Sequence, residues 1–219
     1  MPPFQPILAA LPAAQRRLWP ELAAVPDHFT RYGGTALALR LGHRSSVDFD
    51  FFSDRAFDPD ELAGAVPFLV DAERVQVAID TLTCRVERGG PVLVSFFRGL
   101  RLGQVAPADL VPGTGLRVAS LLDLAGTKAA VVQKPAEVKD YLDLDALVRR
   151  GVDLATALAA GQVVYGRAFN PLVTLKALSY FDDVPSLAAE VRARLSAAVA
   201  AVDPTHLPAL PPAIAPGLR

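Results

Sequence analysis

The chain has 219 residues, of which 52% are hydrophobic, so it is long enough to bury one large core or two smaller ones. Its formal net charge of −1 at pH 7 excludes a broad, non-specific coating of nucleic acid. The one cysteine, Cys84, excludes an internal disulfide and fits a reducing compartment. The N-terminus lacks the pattern of a signal peptide and no apolar run is long enough to span a bilayer, so we expect a cytoplasmic protein without a membrane partner.

The N-terminal elements follow from the spacing of apolar residues. Residues 11–25 predict a helical opening interrupted at Pro20. A strand over 28–32, a helix over 35–41 and a strand over 47–52 are expected next. The core face of the opening segment is predicted to consist of Leu11, Leu18, Leu22 and Val25.

The middle of the chain alternates in a way that is typical of strands. Asp58, Pro59 and Glu61 form a strong helix start, with a cap, a first-turn proline and an acid three residues after the cap. Residues 74–97 predict a hairpin that turns at Gly89 and Gly90. The Pro- and Gly-containing residues 103–117 are expected to be a connector.

The second half has helical periodicity. Ser120 and Asp123 fit a capping pattern that opens a helix to about residue 133, and further helices are expected near 136–149, 153–160, 171–181 and 186–202. The predicted fold class is α+β, with a mixed β-sheet in the N-terminal half and a helical C-terminal half. The predicted domains are 1–105, 106–203 and a Pro-rich tail over 204–219.

Two carboxylates mark the strand over 47–52. Asp48 and Asp50 are two residues apart, so they share one face, while Val47, Phe49 and Phe51 are expected to point into a core. Two charges at that spacing repel by about 2–3 kcal/mol, and a divalent cation removes the penalty. Carboxylate oxygens suit Mg²⁺, or Mn²⁺ in its place, so both residues are predicted metal ligands. Removal of either charge is therefore expected to stabilise the metal-free protein slightly.

A Gly-Gly-Thr turn precedes this strand. Gly33 and Gly34 allow a close approach of backbone to phosphate, and Thr35 opens a helix whose first amides attract anions. Alone, such a turn is more often only a cap, and two acids on a strand are more often a solvated edge. Together they favour phosphoryl or nucleotidyl transfer. An EF-hand is excluded because Phe52 and Ser53 stand where that loop needs an oxygen ligand and a glycine.

These residues resemble a known family. Gly33-Gly34-Thr35 followed by Ser46-Val47-Asp48-Phe49-Asp50 is similar to the signature of the polymerase beta-like nucleotidyltransferase superfamily, and more narrowly of the AbiEii/AbiGii-type toxins of type IV toxin–antitoxin systems. A later block, Ser120 to Lys128 and then Lys139 to Leu144, resembles the same family. So does Ala177 to Asp183.

The resemblance implies roles for the later block. Lys128 and Asp140 are expected to be catalytic together with Asp48 and Asp50, facing them across a cleft between the two halves. The resemblance further implies nucleotide binding by Gly33, Gly34, Thr35, Arg44, Ser46, Lys139 and Asp143. From the residues alone, Lys139 and Asp143 also fit an ordinary ion pair along a helix, and Lys128 has no acid at the helical spacing, which predicts a partner elsewhere.

Two positions depart from the family pattern. Ser95 stands where many superfamily members carry a third metal carboxylate, and Asp80 is the nearest alternative acid. The arginine that the family carries before its Lys-Asp block is absent, with Gln133 and Lys134 nearest. These departures leave open a degenerate module that binds nucleotide and acts through protein partners.

The resemblance implies a metal-dependent toxin that transfers a nucleotidyl group from a nucleoside triphosphate to an RNA acceptor such as the tRNA 3′ end. Growth arrest or phage defence would follow, with a cognate antitoxin as partner. Transfer to a protein hydroxyl is a further alternative. The near-neutral charge predicts a local basic patch with few phosphate contacts. Its expected members are Arg31, Arg40, His43, Arg44, Lys134 and Lys139.

Overall fold

The structure is a computed structural model that describes residues 4–99 and 103–214. The chain divides into two compact units. The first comprises Met1–Arg101 with Ala108–Ala119, and the second comprises Leu102–Pro107 with Ser120–Arg219. Within the described ranges, no helix combines the length and the hydropathy that a bilayer crossing requires.

The first unit is built on one mixed sheet. Its helices are α1 (Ala13–Leu18), α2 (Gly33–Leu41) and α3 (Pro59–Ala65), and 3₁₀ turns cover Leu8–Ala10, Trp19–Ala24 and Pro67–Leu69. Its strands are β1 (Thr30–Tyr32), β2 (Asp48–Ser53), β3 (Glu73–Ala78), β4 (Thr81–Glu87), β5 (Pro91–Arg98), β6 (Asp109–Leu110) and β7 (Arg117–Val118).

The strand that carries the two aspartates lies inside the sheet. The strand order is β3-β4-β5-β2-β1-β7-β6, and β2 pairs in parallel with β5 and antiparallel with β1. Phe49, Phe51 and Phe96 are fully buried on one face. Because a shift of one residue would move these rings to the other face, their burial fixes the register of β2. The fold therefore holds Asp48 and Asp50 together on the opposite face.

Most predicted elements of this unit are confirmed. The expected core residues Leu11, Leu18, Leu22 and Val25 are all buried, and the helical opening changes to a 3₁₀ turn at Pro20. Asp58 caps α3 by accepting hydrogen bonds from the amides of Asp60 and Glu61.

Two predictions for the first unit were wrong. Val47 does not point into the core: β2 begins one residue later, and the Val47 side chain is 55% exposed. Residues 103–117 are not only a connector, because β6 and the start of β7 lie within them and join the sheet. Strands of two residues carry too little alternation to be recognised from sequence.

The second unit is helical. Its helices are α4 (Leu121–Val131), α5 (Val138–Arg149), α6 (Leu154–Tyr165), α7 (Pro171–Ala177) and α8 (Ala189–Ala200), with a 3₁₀ turn over Gly166–Ala168. Ser120, Asp153 and Asn170 cap α4, α6 and α7 through their side chains, and the cap at Ser120 is the one that the sequence pattern predicts. Gly126 lets α4 approach α6 closely, since a Cβ there would lie 2.7 Å from the carbonyl carbon of Ala160.

The Pro-rich end of the second unit has little regular structure. Residues 204–214 contain no helix or strand, although Gln104 and Ile214 form one antiparallel bridge. This agrees with an extended Pro-rich segment over that range. The prediction for 215–219 lies outside the described residues.

Candidate active site

The two aspartates of β2 lie on the less buried face of the sheet. Asp48 and Asp50 are both partly exposed, whereas Phe49 between them is fully buried. The register places Tyr32 of β1 and Ser95 of β5 on either side of Asp50. Side chains opposite each other on neighbouring strands share a face. The predicted carboxylate pair is therefore presented to solvent by a rigid strand.

The Gly33-Gly34 turn lies close to the side chains of Asp50, Arg44 and Ser46. Gly33 has φ of +77°, and a Cβ there would overlap the Asp50 carboxylate. At Gly34, a Cβ would lie 2.6 Å from Arg44 Nη2 and 3.1 Å from Ser46 Oγ. Glycine is therefore favoured by conformation at Gly33, and a side chain at Gly34 would displace the end of Arg44. The structure thus brings three further predicted site residues, Arg44, Ser46 and Asp50, to the turn formed by Gly33 and Gly34.

Thr35 ties the turn to the acidic strand. Its side chain is 1% exposed, and its hydroxyl donates a 2.5 Å hydrogen bond to the carbonyl oxygen of Asp48. This bond links the first turn of α2 to the start of β2. The Thr35 hydroxyl is thus engaged within the protein, and Thr35 sets the position of the aspartates through the backbone.

A buried arginine lies under β2. Arg31 pairs with Phe51 in the register, so its side chain is on the apolar face, and its Cζ lies 4.0 Å from the centre of the Phe49 ring. The guanidinium is 0% exposed and donates from Nη2 to the carbonyl oxygen of Asp48 at 3.2 Å. Within the described residues, its Nε and Nη1 atoms have no hydrogen-bond partner. Each such buried donor costs about 1–3 kcal/mol.

Burial lowers the pKa of Arg31 to about 9, although the charges of Asp50 and Asp48 act in the opposite direction. The guanidinium therefore remains protonated at neutral pH. A cation held against two aspartates from below was not anticipated from the sequence.

The position of a third carboxylate is occupied by hydroxyls. Ser95 lies beside Asp50 in the register, as expected, and accepts a 3.1 Å hydrogen bond from Thr83 Oγ1 of β4. Both side chains are buried. Ser95 therefore lies on the strand next to Asp50, and the local chemistry at this position is neutral.

Asp80 does not take the place of the missing acid. It lies in the turn between β3 and β4, where its carboxylate accepts from the amide of Phe57 and pairs with Arg98 at 3.1 Å. Arg98 is opposite Ser53, three residues beyond Asp50 along β2. The Phe57 amide, together with Arg98, holds the pKa of the Asp80 carboxyl below its ordinary value, against the effect of partial burial.

The donors on the solvent face of β2 fit a divalent cation that also binds substrate. The described residues contain no group of three or more His, Cys, Asp or Glu able to hold a metal. Mg²⁺ commonly uses only one or two carboxylates and completes its shell with water and phosphate oxygens. Asp48 and Asp50 would supply the two carboxylates, and the glycine turn would bind the phosphate.

The second unit contains a buried ion cluster. Lys128 of α4 lies 2.9 Å from Asp140 Oδ1 and 2.7 Å from Asp143 Oδ2, both on α5. The exposed fractions of these side chains are 8%, 4% and 0%. The expectation that Lys128 reaches a partner away from its own helix is confirmed. Lys139 lies outside the cluster and pairs with Glu137 at 2.7 Å on the surface.

Gln133, near the site of the missing family arginine, has a local structural role. Its side-chain amide donates to the carbonyl oxygen of Asn170 and to the Thr174 hydroxyl. These bonds connect the end of α4 to the start of α7. Nothing in this arrangement replaces a guanidinium.

The predicted basic patch was partly wrong. Arg31 is fully buried, and Arg40 uses its guanidinium on Asp109 and on the carbonyl oxygen of Ala119. Neither side chain is presented for RNA. Arg31 lies on the internal strand β1, and Arg40 lies on α2. The surroundings of both residues depend on long-range packing, which local sequence does not reveal.

A sequence profile of the family described as nucleotidyl transferase AbiEii toxin, type IV toxin–antitoxin system, matches residues 17–214. The chain belongs to the AbiEii nucleotidyltransferase toxin family. The match covers both the Gly-Gly turn with its aspartates and the Lys128 cluster.

Two known proteins are similar to this AbiEii member. An uncharacterised protein of Aquifex aeolicus (strain VF5) is 30% identical over 160 residues, which is 72% of this chain and 75% of that protein. The nucleotidyltransferase toxin MenT4 from Mycobacterium tuberculosis H37Rv has a similar fold, with a TM-score of 0.58 and 20% identity over 87% of this chain and 82% of that chain. The predicted family and α+β fold class are confirmed.

Sequence reasoning missed the role of Arg31 in this AbiEii member. A charged residue in the short segment between Phe29 and Tyr32, both buried, was the available signal. Reading it as a surface cation ignored that β1 has sheet neighbours on both sides. An arginine on an internal strand must either reach the edge or be buried with its charge.

Proposed function

We propose that this protein transfers a nucleotidyl group from a nucleoside triphosphate to the hydroxyl of an RNA acceptor, the 3′ end of a tRNA being the leading case. The observation that carries the proposal is the Gly33-Gly34 turn, where Asp50 lies next to Gly33 and Arg44 with Ser46 lies next to Gly34. Anionic and cationic groups beside a partly exposed backbone turn match a metal-bound triphosphate.

Asp48 and Asp50 would hold Mg²⁺ or Mn²⁺ in this proposal. The ion would neutralise phosphate charge that develops as the leaving group departs. The two aspartates need not move to bind it, because β2 fixes their backbone and Thr35 fixes the carbonyl of Asp48. Such preorganisation lowers the cost of assembling the site.

The triphosphate would bind at the start of α2. The amides of Gly33 and Gly34 open this helix, whose N-cap residue Tyr32 makes no capping side-chain bond. A helix N-terminus of this kind favours anions. Arg44 adds a planar guanidinium suited to phosphate oxygens, and Ser46 adds a hydroxyl donor.

Lys128 and Asp140 are proposed as further catalytic residues, with Lys139 and Asp143 contributing to nucleotide binding. Transfer forms a bond between the acceptor oxygen and the α-phosphorus, releases pyrophosphate and requires a group that accepts the hydroxyl proton. Asp140 would accept this proton, and Lys128 would stabilise phosphate charge. Asp143 is fully buried against Lys128, so its contribution to nucleotide binding would be indirect, through holding the lysine in place.

The experiment is incubation of the protein with each α-labelled nucleoside triphosphate and total RNA, with Mg²⁺ or with EDTA. We expect label in RNA from a preferred nucleotide, only with the metal, and none with the Asp50→Asn variant. Label on protein would instead support transfer to a protein hydroxyl. Absence of transfer alongside nucleotide binding would support the degenerate binding module, the alternative that the neutral Ser95 position favours.

The acceptor is proposed to be an RNA end rather than a long duplex. With Arg31 and Arg40 engaged inside the protein, four of the six residues of the predicted basic patch remain for phosphate contacts. Each neutralised phosphate lowers log affinity by about 0.7–0.9 per decade of salt. Filter binding over a salt series should give a shallow slope, and a slope implying about eight or more phosphates would reject an RNA end.

A cognate antitoxin is the proposed protein partner. This follows from the family description, which names a toxin–antitoxin system. Expression of the chain alone should arrest growth, and co-expression of the product of its neighbouring gene should restore it. Arrest that persists in the Asp50→Asn variant would separate toxicity from nucleotidyl transfer.

A further inference from the structure

Arg31 is positioned unlike an ordinary structural arginine. It is the largest of the fully buried side chains in the described residues, yet its hydrogen bond goes to a backbone carbonyl and its Nε and Nη1 donors have no partner there. A buried guanidinium that serves only as an anchor normally satisfies its donors, because unpaired ones are costly. The buried charge of Arg31 with its two unpaired donors therefore needs another explanation.

The location of the charge provides one. Arg31 stacks on Phe49, the residue between Asp48 and Asp50, and binds the carbonyl of Asp48 itself. The two carboxylates lie on the other face of the same strand. One positive charge is therefore fixed beneath two negative ones, where the surrounding aromatic rings keep water away from it.

We propose that Arg31 is a positioning residue that acts as a permanent counter-charge to Asp48 and Asp50, holding the pair together when no metal is bound and weakening metal binding to the level that turnover requires. The part concerning the metal rests on the proposed function. The part concerning the empty pair does not, since it depends only on charges that the chain carries.

The counter-charge reverses an expectation drawn from the sequence. If the carboxylates only repelled each other, Asp50→Asn would raise the melting temperature of the metal-free protein. With Arg31 beneath them, the same change removes a favourable partner of a buried cation. Asp50→Asn should therefore lower the melting temperature in EDTA.

A double-mutant cycle tests this directly. Melting temperatures are measured in EDTA at neutral pH for the parent, Asp50→Asn, Arg31→Met and the double variant. We expect Asp50→Asn to lower the melting temperature of the parent by about 2–4 °C and to lower it by clearly less in the Arg31→Met background. Equal shifts in both backgrounds would overturn the proposal.

The second readout is the affinity for Mn²⁺, which is measured from the electron paramagnetic resonance signal of the free ion. Arg31→Met should tighten binding by about tenfold, since a repelling charge is removed, whereas Arg31→Lys should bind like the parent. Unchanged affinity in Arg31→Met would mean that Arg31 is only an anchor. If Arg31→Met does not fold, Arg31→Gln takes its place in the cycle and in the Mn²⁺ measurement, because its neutral amide can still donate to the carbonyl oxygen of Asp48.

The two readouts separate this proposal from the proposed function. A parent protein that binds no Mn²⁺ would refute the metal site, while the melting cycle in EDTA would still report on Arg31. Conversely, a protein that binds Mn²⁺ and transfers nucleotide but shows no coupling in the cycle would refute the counter-charge alone.

Discussion

Each unit of this protein carries a pair of aspartates close in sequence, and the two pairs differ in burial and in the cation near them. Asp140 and Asp143 are buried and share the ammonium of Lys128. Asp48 and Asp50 are partly exposed, and the nearby buried cation, Arg31, donates to a backbone carbonyl of the strand. The first pair lies in the interior of its unit and shares a buried cation, whereas the second pair lies on the partly exposed face of a strand.

The difference arises from secondary structure. Residues three apart on a helix project from neighbouring positions on one side, so a lysine on the adjacent helix reaches both. Residues two apart on an internal strand share a face, and Arg31 on the neighbouring strand pairs with Phe51, so its side chain is on the other face. The strand therefore separates its aspartates from the cation that balances them.

The largest expected effect is on activity at the exposed pair. Asp48→Asn or Asp50→Asn should lower nucleotidyl transfer by about a hundredfold or more, because a ligand of a charge-neutralising metal is lost. Asp71→Asn, which changes an exposed acid in the loop before β3, is the matched control. Steady-state rates at saturating Mg²⁺ measure the effect, and an equal loss in the control would show that the loss is not specific to the aspartates of β2.

The next effect is on stability at the buried pair. Lys128→Met should destabilise the protein by about 3–5 kcal/mol, because two buried carboxylates lose their cation. Denaturant unfolding measures this change, with Lys139→Met as the control for a surface lysine, which should leave the midpoint unchanged.

The same cluster offers a rescue that tests the cause. Lys128→Met combined with Asp140→Asn and Asp143→Asn should recover part of the lost stability, since no uncompensated charge remains. Failure of the triple variant to regain stability would mean that packing, not charge, accounts for the loss.

A smaller effect is expected at the glycine turn. Gly33→Ala should cost about 1–3 kcal/mol because φ is positive at this position, and nucleotide affinity should fall with it. Gly34→Ala should weaken nucleotide binding at nearly normal stability, because the flexible end of Arg44 can move aside. Gly64→Ala in α3 is the control: its Cβ meets nothing within 4 Å, and it should stabilise by about 1 kcal/mol.

The smallest effect concerns Asp80, the acid that belongs to neither pair. Its folded-state pKa lies below the ordinary 3.8, so its contribution to stability is present above pH 3.8 and is lost as the pH falls through the lower, folded-state value. Asp80→Asn should slightly lower the melting temperature at neutral pH, show no difference from the parent in strong acid, and retain full transferase activity. Loss of activity would place Asp80 in the site.

Local signals in the sequence were enough for most elements. The caps at Asp58 and Ser120 and the alternation around Phe49 each depend on residues within a few positions. The same holds for the shared face of Asp48 and Asp50, which follows from strand geometry alone.

Features that depend on distant pairing were not predictable in this way. The strands β6 and β7 exist only because they pair with each other and with β1. The burial of Arg31 and the pairing of Arg40 with Asp109 depend on the same long-range arrangement. The partner of Lys128 was expected to be elsewhere, but only the packing of α4 against α5 identifies it as Asp140 and Asp143.

The central claim is that the exposed aspartate pair serves nucleotidyl transfer. The most direct measurement compares α-labelled and γ-labelled forms of the preferred triphosphate, with purified tRNA and Mg²⁺, for the parent and the Asp50→Asn variant. The account predicts that only the α label enters tRNA, and only with the parent protein. Transfer of the γ label, or α transfer that survives in Asp50→Asn, would contradict it.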